Sequence, residues 1–137
     1  MANPTTLYTL NDGRLAVNVT ENKTLGDGDS GVVQNVITDG VTITLPATAV
    51  TFAFTVRNGG DNPSGTPSGA VSDGSAAVII APNASDLIHG MQMTESDADT
   101  LTNTKATAKV GDEISLIPAT DGWVITGMRG TWAQTAV

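Results

Sequence analysis

The chain has 137 residues, six basic and fourteen acidic side chains, and a formal net charge of −8. That is the length of one ordinary domain, which buries roughly two thirds of the surface its unfolded chain exposes, so no metal or disulfide staple is required. Zero cysteines, one histidine and no basic stripe argue against thiol catalysis, zinc–thiolate sites and multi-histidine relays, and against partners built on phosphate backbones or anionic lipid.

No apolar run approaches the ~18 residues of a membrane span. Met1–Asn11 lacks the basic start and apolar centre of a secretory signal, which points to synthesis in a cytosol. The expected chain therefore binds no nucleic acid, no membrane, no cofactor and no metal.

In chain order, Met1–Asp12 reads either as a first strand or as an extended arm that docks on a neighbour. Leu15, Val17 and Val19 alternate with Ala16, Asn18 and Thr20. Val32–Thr38, Asp39-Gly40 and Val41–Leu45 read as a hairpin, because Asp-Gly suits a type I′ turn. Val50, Phe52, Phe54 and Val56 alternate with Thr51, Ala53 and Thr55, so the two Phe are expected in the core.

Asn58–Ser75 differs: fifteen of its eighteen residues are Gly, Pro, Ser, Asn or Asp. It reads as a long exposed loop, either a tolerated surface insertion or a contact loop at an interface. Ala76–Ala81 is more uniformly apolar and suits a central strand covered on both faces. Leu87–Met93 and Lys105–Val110 are weaker strand candidates. Glu95–Asn103 is the best helical candidate, short and polar. Ser115–Thr120, Asp121-Gly122 and Trp123–Thr126 form a second expected hairpin, with Trp123 anchored in the core just after the turn. No internal repeat is apparent. The pattern predicts an all-β single domain: a β-sandwich, jelly-roll-like or small barrel, with residues 1–12 as arm or first strand and residues 13–137 as the β domain carrying an exposed loop at 58–75.

Candidate chemistry is sparse. Gly28-Asp29-Ser30-Gly31 copies the string around the nucleophile of trypsin-like proteases. However, the chain is too short for that two-barrel fold, and His89 follows the serine instead of preceding it, so the string reads as a turn. Asp27/Asp29 and Glu95/Asp97/Asp99 fail to complete a calcium-loop pattern and read as solvated turn carboxylates. His89 reads as a strand residue with an ordinary hydrogen bond. A glycoside-cleaving carboxylate pair remains an alternative, because its separation is spatial, although aromatic platforms for sugar are few.

Val41–Pro46, Phe52–Gly59, Val78–Pro82, Asp86–Gly90, Val110–Leu116, Gly122-Trp123 and Gly130-Thr131-Trp132 together resemble capsid decoration (cement) proteins of tailed bacteriophages, over about Leu25–Ala133. Similar sequences occur as modules of tail fibres and baseplates. The resemblance implies a β-sandwich or jelly-roll-like fold, assembly as a homotrimer, no enzymatic activity, and a major capsid protein as partner on the outer surface of the virion. The acidic balance suits that outer surface better than the DNA-facing lumen. Within this reading, Thr5, Thr6, Leu7, Tyr8, Thr9 and Leu10 are the candidate contact residues, because the segment suits strand addition to an exposed edge. The alternatives are a tail-fibre or baseplate module binding host glycans, and a small glycan-cleaving enzyme.

Overall fold

A computed structural model describes residues 3–47, 52–61, 76–84, 86–90 and 99–135. Twelve strands cover about half of them: β1 (Leu7–Thr9), β2 (Leu15–Val19), β3 (Lys23–Thr24), β4 (Val33–Val36), β5 (Val41–Thr44), β6 (Phe54–Asn58), β7 (Val78–Ala81), β8 (Leu87–His89), β9 (Thr100–Asn103), β10 (Glu113–Pro118), β11 (Gly122–Arg129) and β12 (Trp132–Thr135). They form a seven-stranded sheet in the order β1-β2-β4-β6-β10-β11-β8 and a five-stranded sheet in the order β12-β9-β7-β5-β3. Val/Ile/Thr alternation drives this choice, because branched side chains pack well on a pleated surface with one buried face.

The two sheets share one core. Val19, Val36, Phe54, Val56, Ile114, Leu116 and Trp123 from the larger sheet meet Val41, Ile43, Val78, Ile80 and Leu101 from the smaller. The fold is thus an all-β sandwich of two mixed sheets. The rings of Phe54 and Trp123 lie 5.4 Å apart at 47°, a tilted pair at its centre. Phe54 is fully buried, whereas Phe52 only packs against the cluster's rim. Val50 lies outside the described residues.

From β2 to β9 the chain crosses to the opposite sheet with every strand. Through β7, each return visit to a sheet runs in the same direction as the last; β9 then comes back antiparallel to β7. The result is two parallel stacks, β2/β4/β6 and β3/β5/β7. This corrects the hairpin expected at Asp39-Gly40. β4 and β5 belong to different sheets, and the Asp-Gly pair carries the chain between them. Gly40 takes φ +84 there, its amide donates to Ala77 O at 2.9 Å, and Asp39 Oδ1 accepts from Ala77 N at 2.8 Å.

The second expected hairpin is present: β10 and β11 pair antiparallel from Pro118↔Trp123 to Glu113↔Arg129, with a bulge between Ser115 and Leu116. Gly122 is needed there for space. A Cβ on it would sit 1.9 Å from Leu87 O of the adjoining parallel strand β8.

Three further expectations change. Thr100–Asn103 is a strand and not the end of a helix, because Leu101 and Asn103 bury against β7 and β12. Glu95–Ala98 lie outside the described residues, as do Met91–Met93. Lys105–Val110 is a turn region: Thr107 and Ala108 amides both donate to Thr104 O. Ala76–Ala81 does form the central strand of its sheet, but Ile79 and Ala81 are only half-buried.

Asn58, Gly59 and Gly60 are buried, so the expected exposed loop does not begin at 58; residues 62–75 lie outside the described residues. Asn58 is instead a junction between the sheets. Its Nδ2 donates to Ala76 O (3.0 Å) and Asn103 Oδ1 (2.6 Å), and its Oδ1 accepts from Gly60 N (2.8 Å). Its backbone closes onto Asp112 O and Gly111 N, each at 2.8 Å.

Candidate interaction surface

Within Thr5–Leu10, the three residues Leu7–Thr9 form β1. Leu7, Tyr8 and Thr9 pair antiparallel with Val17, Ala16 and Leu15 of β2. Leu10 turns back over the sheet, where it packs with Ala16, Val33 and Tyr8 in a second small apolar cluster on the outer face. Its amide donates to Arg14 O at 2.8 Å, closing the β1–β2 turn. Asn3 ties the segment down, its Oδ1 accepting from the Thr20 and Glu21 amides at 2.8 and 3.0 Å. Of the six candidate contact residues, Tyr8 and Leu10 thus serve the fold. Thr5, Thr6, Leu7 and Thr9 face solvent.

β1 ends the seven-stranded sheet, so its outer edge carries no strand among the described residues. Leu7 is 51% exposed, and Leu15, one cross-strand diagonal away, is 41% exposed. Beneath Leu7 a cleft of about 270 Å³ opens toward β3, lined also by Pro4, Thr5, Val17 and Lys23. Lys23 closes its floor: Nζ donates to buried Gln34 Oε1 (2.7 Å) and pairs with Asp29 Oδ1 (3.0 Å).

The outer face of the same sheet carries a polar row that the sequence reading missed. Strand register places Asn18, Asn35, Arg57, Glu113 and Arg129 side by side across β2, β4, β6, β10 and β11. Asn18 and Asn35 are buried under Tyr8. Tyr8 Oη donates to Asn18 Oδ1, Asn35 Nδ2 donates to Tyr8 Oη at 3.0 Å, and Arg57 Nη1 donates to Asn35 Oδ1 at 2.7 Å. Burial raises the Tyr8 phenol above its ordinary value, partly offset by the Asn35 hydrogen bond and the Arg57 charge.

Arg14, on the β1–β2 turn, reaches over Glu113 in a two-pronged ion pair, Nη1 to Oε2 and Nη2 to Oε1, both 2.8 Å. Its Nε also donates to Asp12 Oδ2 at 2.8 Å, and this bond holds the Asp12 carboxyl below the usual range. The same two partners, Glu113 first, raise the guanidinium further.

All three arginines of the chain therefore stand on one sheet face of a protein with net charge −8. The clue available in sequence was a polar residue interrupting each apolar strand: Val17-Asn18-Val19, Gln34-Asn35-Val36, Val56-Arg57-Asn58.

The remaining sequence candidates separate. Ser30 Oγ donates to Ala53 O (3.4 Å), while His89 Nε2 bonds Asp121 Oδ1 (2.7 Å). Asp27–Asp29 is one 3₁₀ turn closed by Asp29 Oδ2 on Gly26 N. Asp99 is buried and bonded by Gln134, whereas Glu95 and Asp97 lie outside the described residues. Among the described residues no group of three or more His, Asp or Glu converges as a metal site would require, and no helix is long and apolar enough to cross a membrane. The chain matches no protein-family model and no curated protein at a significant level.

Proposed function

We propose that the protein is a structural virion component that decorates the outside of a phage capsid and reinforces it by bridging neighbouring major capsid subunits, as a homotrimer. The observation that carries this reading is the open β1 edge, with Leu7 and Leu15 exposed beside it. Natural sandwiches blunt such edges with charge or cover them, because an unpaired strand is a template for another strand. Here the edge is short and uncharged and exposes Leu7 among threonines, so it suits a partner strand that supplies main-chain hydrogen bonds and takes Leu7 into a pocket. The acidic surface and the cysteine-free composition fit a part assembled inside a bacterium. Each bound copy adds binding energy that must be lost before the shell opens.

The test is sedimentation of the purified chain with assembled capsids, reading copy number. Leu7→Asp should abolish binding while the domain stays folded, because half of Leu7 is already exposed to solvent. Deleting β1 is a poor probe, since Tyr8 and Leu10 would leave the second cluster open. If wild-type protein ignores every capsid and binds a tail component or a host glycan instead, or cleaves a glycan, the decoration reading is wrong.

A further inference from the structure

We infer that the outer face of the seven-stranded sheet docks an acidic segment of a partner protein, whose carboxylates engage Arg57 and Arg129 on either side of Glu113. The surface stands on the chain's own charges; only the partner's identity as a shell subunit rests on the decoration reading.

Three observations lead there. First, the arginines are unevenly neutralised. Arg14 is saturated by Glu113 and Asp12. Arg57 has one hydrogen bond, to the neutral amide of Asn35, and exposed Arg129 has no side-chain partner among the described residues. Because Arg14 already grips both oxygens of Glu113, that carboxylate bonds neither flanking arginine.

Second, the neighbouring row is low and polar. Thr55, Ser115 and Gly127 lie in register across β6, β10 and β11. The Thr55 and Ser115 hydroxyls meet at 3.1 Å. An extended chain could lie along this shelf, with hydroxyls beneath it and guanidinium forks beside it.

Third, the pattern selects the anion. Arg57 and Arg129 stand two strand spacings apart, about 10 Å, with Glu113 between them. A phosphate backbone or sulfated polysaccharide presents charge continuously and would meet Glu113 at close range. Discrete carboxylates on alternate residues of an extended segment, about 7 Å apart at the backbone, can splay through their side chains to the two guanidinium groups on either side of Glu113. The field of the remaining acidic surface is screened beyond about 8 Å at physiological salt, so a short segment feels mainly the local guanidinium groups. The planar fork of Arg also matches a carboxylate with two parallel hydrogen bonds.

The experiment titrates ¹⁵N-labelled protein with hexaglutamate at about 0.15 M salt, where the acidic surface is screened, following the arginine Nε–H and backbone amide resonances. Shifts should fall on Arg57, Arg129, Thr55 and Ser115, and should fade at 0.3 M salt. In the double variant Arg57→Gln/Arg129→Glu, checked for a native amide spectrum, affinity should drop about tenfold or more. No shift, or shifts centred on Lys105 and Lys109, would overturn the inference. Tighter binding of heparin or duplex DNA at the same row would overturn the choice of occupant. In the capsid assay, a double variant that decorates like wild type refutes the docking surface while decoration stands. A wild-type protein that binds no capsid refutes decoration, and the hexaglutamate titration still decides the surface.

Discussion

Asn58→Ala should cost the domain at least about 3 kcal/mol. The side chain is fully buried and makes three hydrogen bonds, to Ala76 O, Asn103 Oδ1 and Gly60 N. Truncation leaves two acceptors and one donor without their partner, and each such buried group costs about 1–3 kcal/mol. Asn103 retains its own Nδ2 bonds to Asp112 Oδ2 and Thr131 O, both 3.0 Å, which limits the collapse and places the estimate at the low end. Against a total stability of about 5–15 kcal/mol, that is a large fraction. Urea denaturation followed by tryptophan fluorescence measures it, since Trp123 is buried. Asn58→Asp sharpens the test. Its ionised form has no donor for Ala76 O or Asn103 Oδ1, and it places a second charge in a network that already holds buried Asp112. It should be less stable than Asn58→Ala at pH 7 and recover as the pH falls and the new carboxyl regains a proton to donate. A loss below 1 kcal/mol for Asn58→Ala, or an Asn58→Asp variant indifferent to pH, would refute the junction.

Phe54→Ala should cost about 3–5 kcal/mol, because it empties the centre of the core beside Trp123; Phe52→Ala should cost distinctly less, and equal losses would contradict the placement of the two rings. Leu7→Asp should shift the urea midpoint hardly at all, since the residue is half exposed; a large shift would show that β1 packs more deeply. Asp39 has its carboxyl lowered by the Ala77 amide first and by Lys105 second. Its contribution is therefore present above about pH 3.8 and lost as pH falls below it. Melting curves of wild type and Asp39→Asn should differ at pH 6 and converge near pH 2; a gap constant with pH would rule this out. Tyr8 has a raised pKa, so its contribution holds below about pH 10 and is lost above it. Tyr8→Phe should lack that alkaline loss.

Alternation along single strands was legible because it follows from the pleat alone. Val41/Ile43, Phe54/Val56 and Ile114/Leu116 read directly as core, and the Ser115–Thr126 hairpin was legible because its turn and both its strands are contiguous. The partner of β4 was not. A strand followed by Asp-Gly and another strand reads as a hairpin whenever the turn is judged alone. What moves Val41–Thr44 into the other sheet is non-local: β5 finds Val78–Ala81 on one side and Lys23–Thr24 on the other, both parallel. No turn residue encodes that pairing.

The polar row was hidden for the same reason. Asn18 and Asn35 are seventeen residues apart, and Asn35 and Arg57 twenty-two. The unequal intervals conceal what is a repeat in space, one polar residue per strand at the same level of the outer face, stacked by the parallel coil. Read singly, Asn18 in Val17-Asn18-Val19 is a polar residue on a solvent face, and Arg57 is a charged strand end. Stacked, they become a supported line: the asparagines are buried under Tyr8 and spend their hydrogen bonds on one another, which orients Arg57, while Arg14 occupies Glu113 and leaves Arg129 uncompensated. A sheet that needed only solubility would gain little from burying two asparagines, since each must be fully bonded to avoid a desolvation cost. Their burial is explained by what it holds in place, an arginine aimed outward from an otherwise acidic protein.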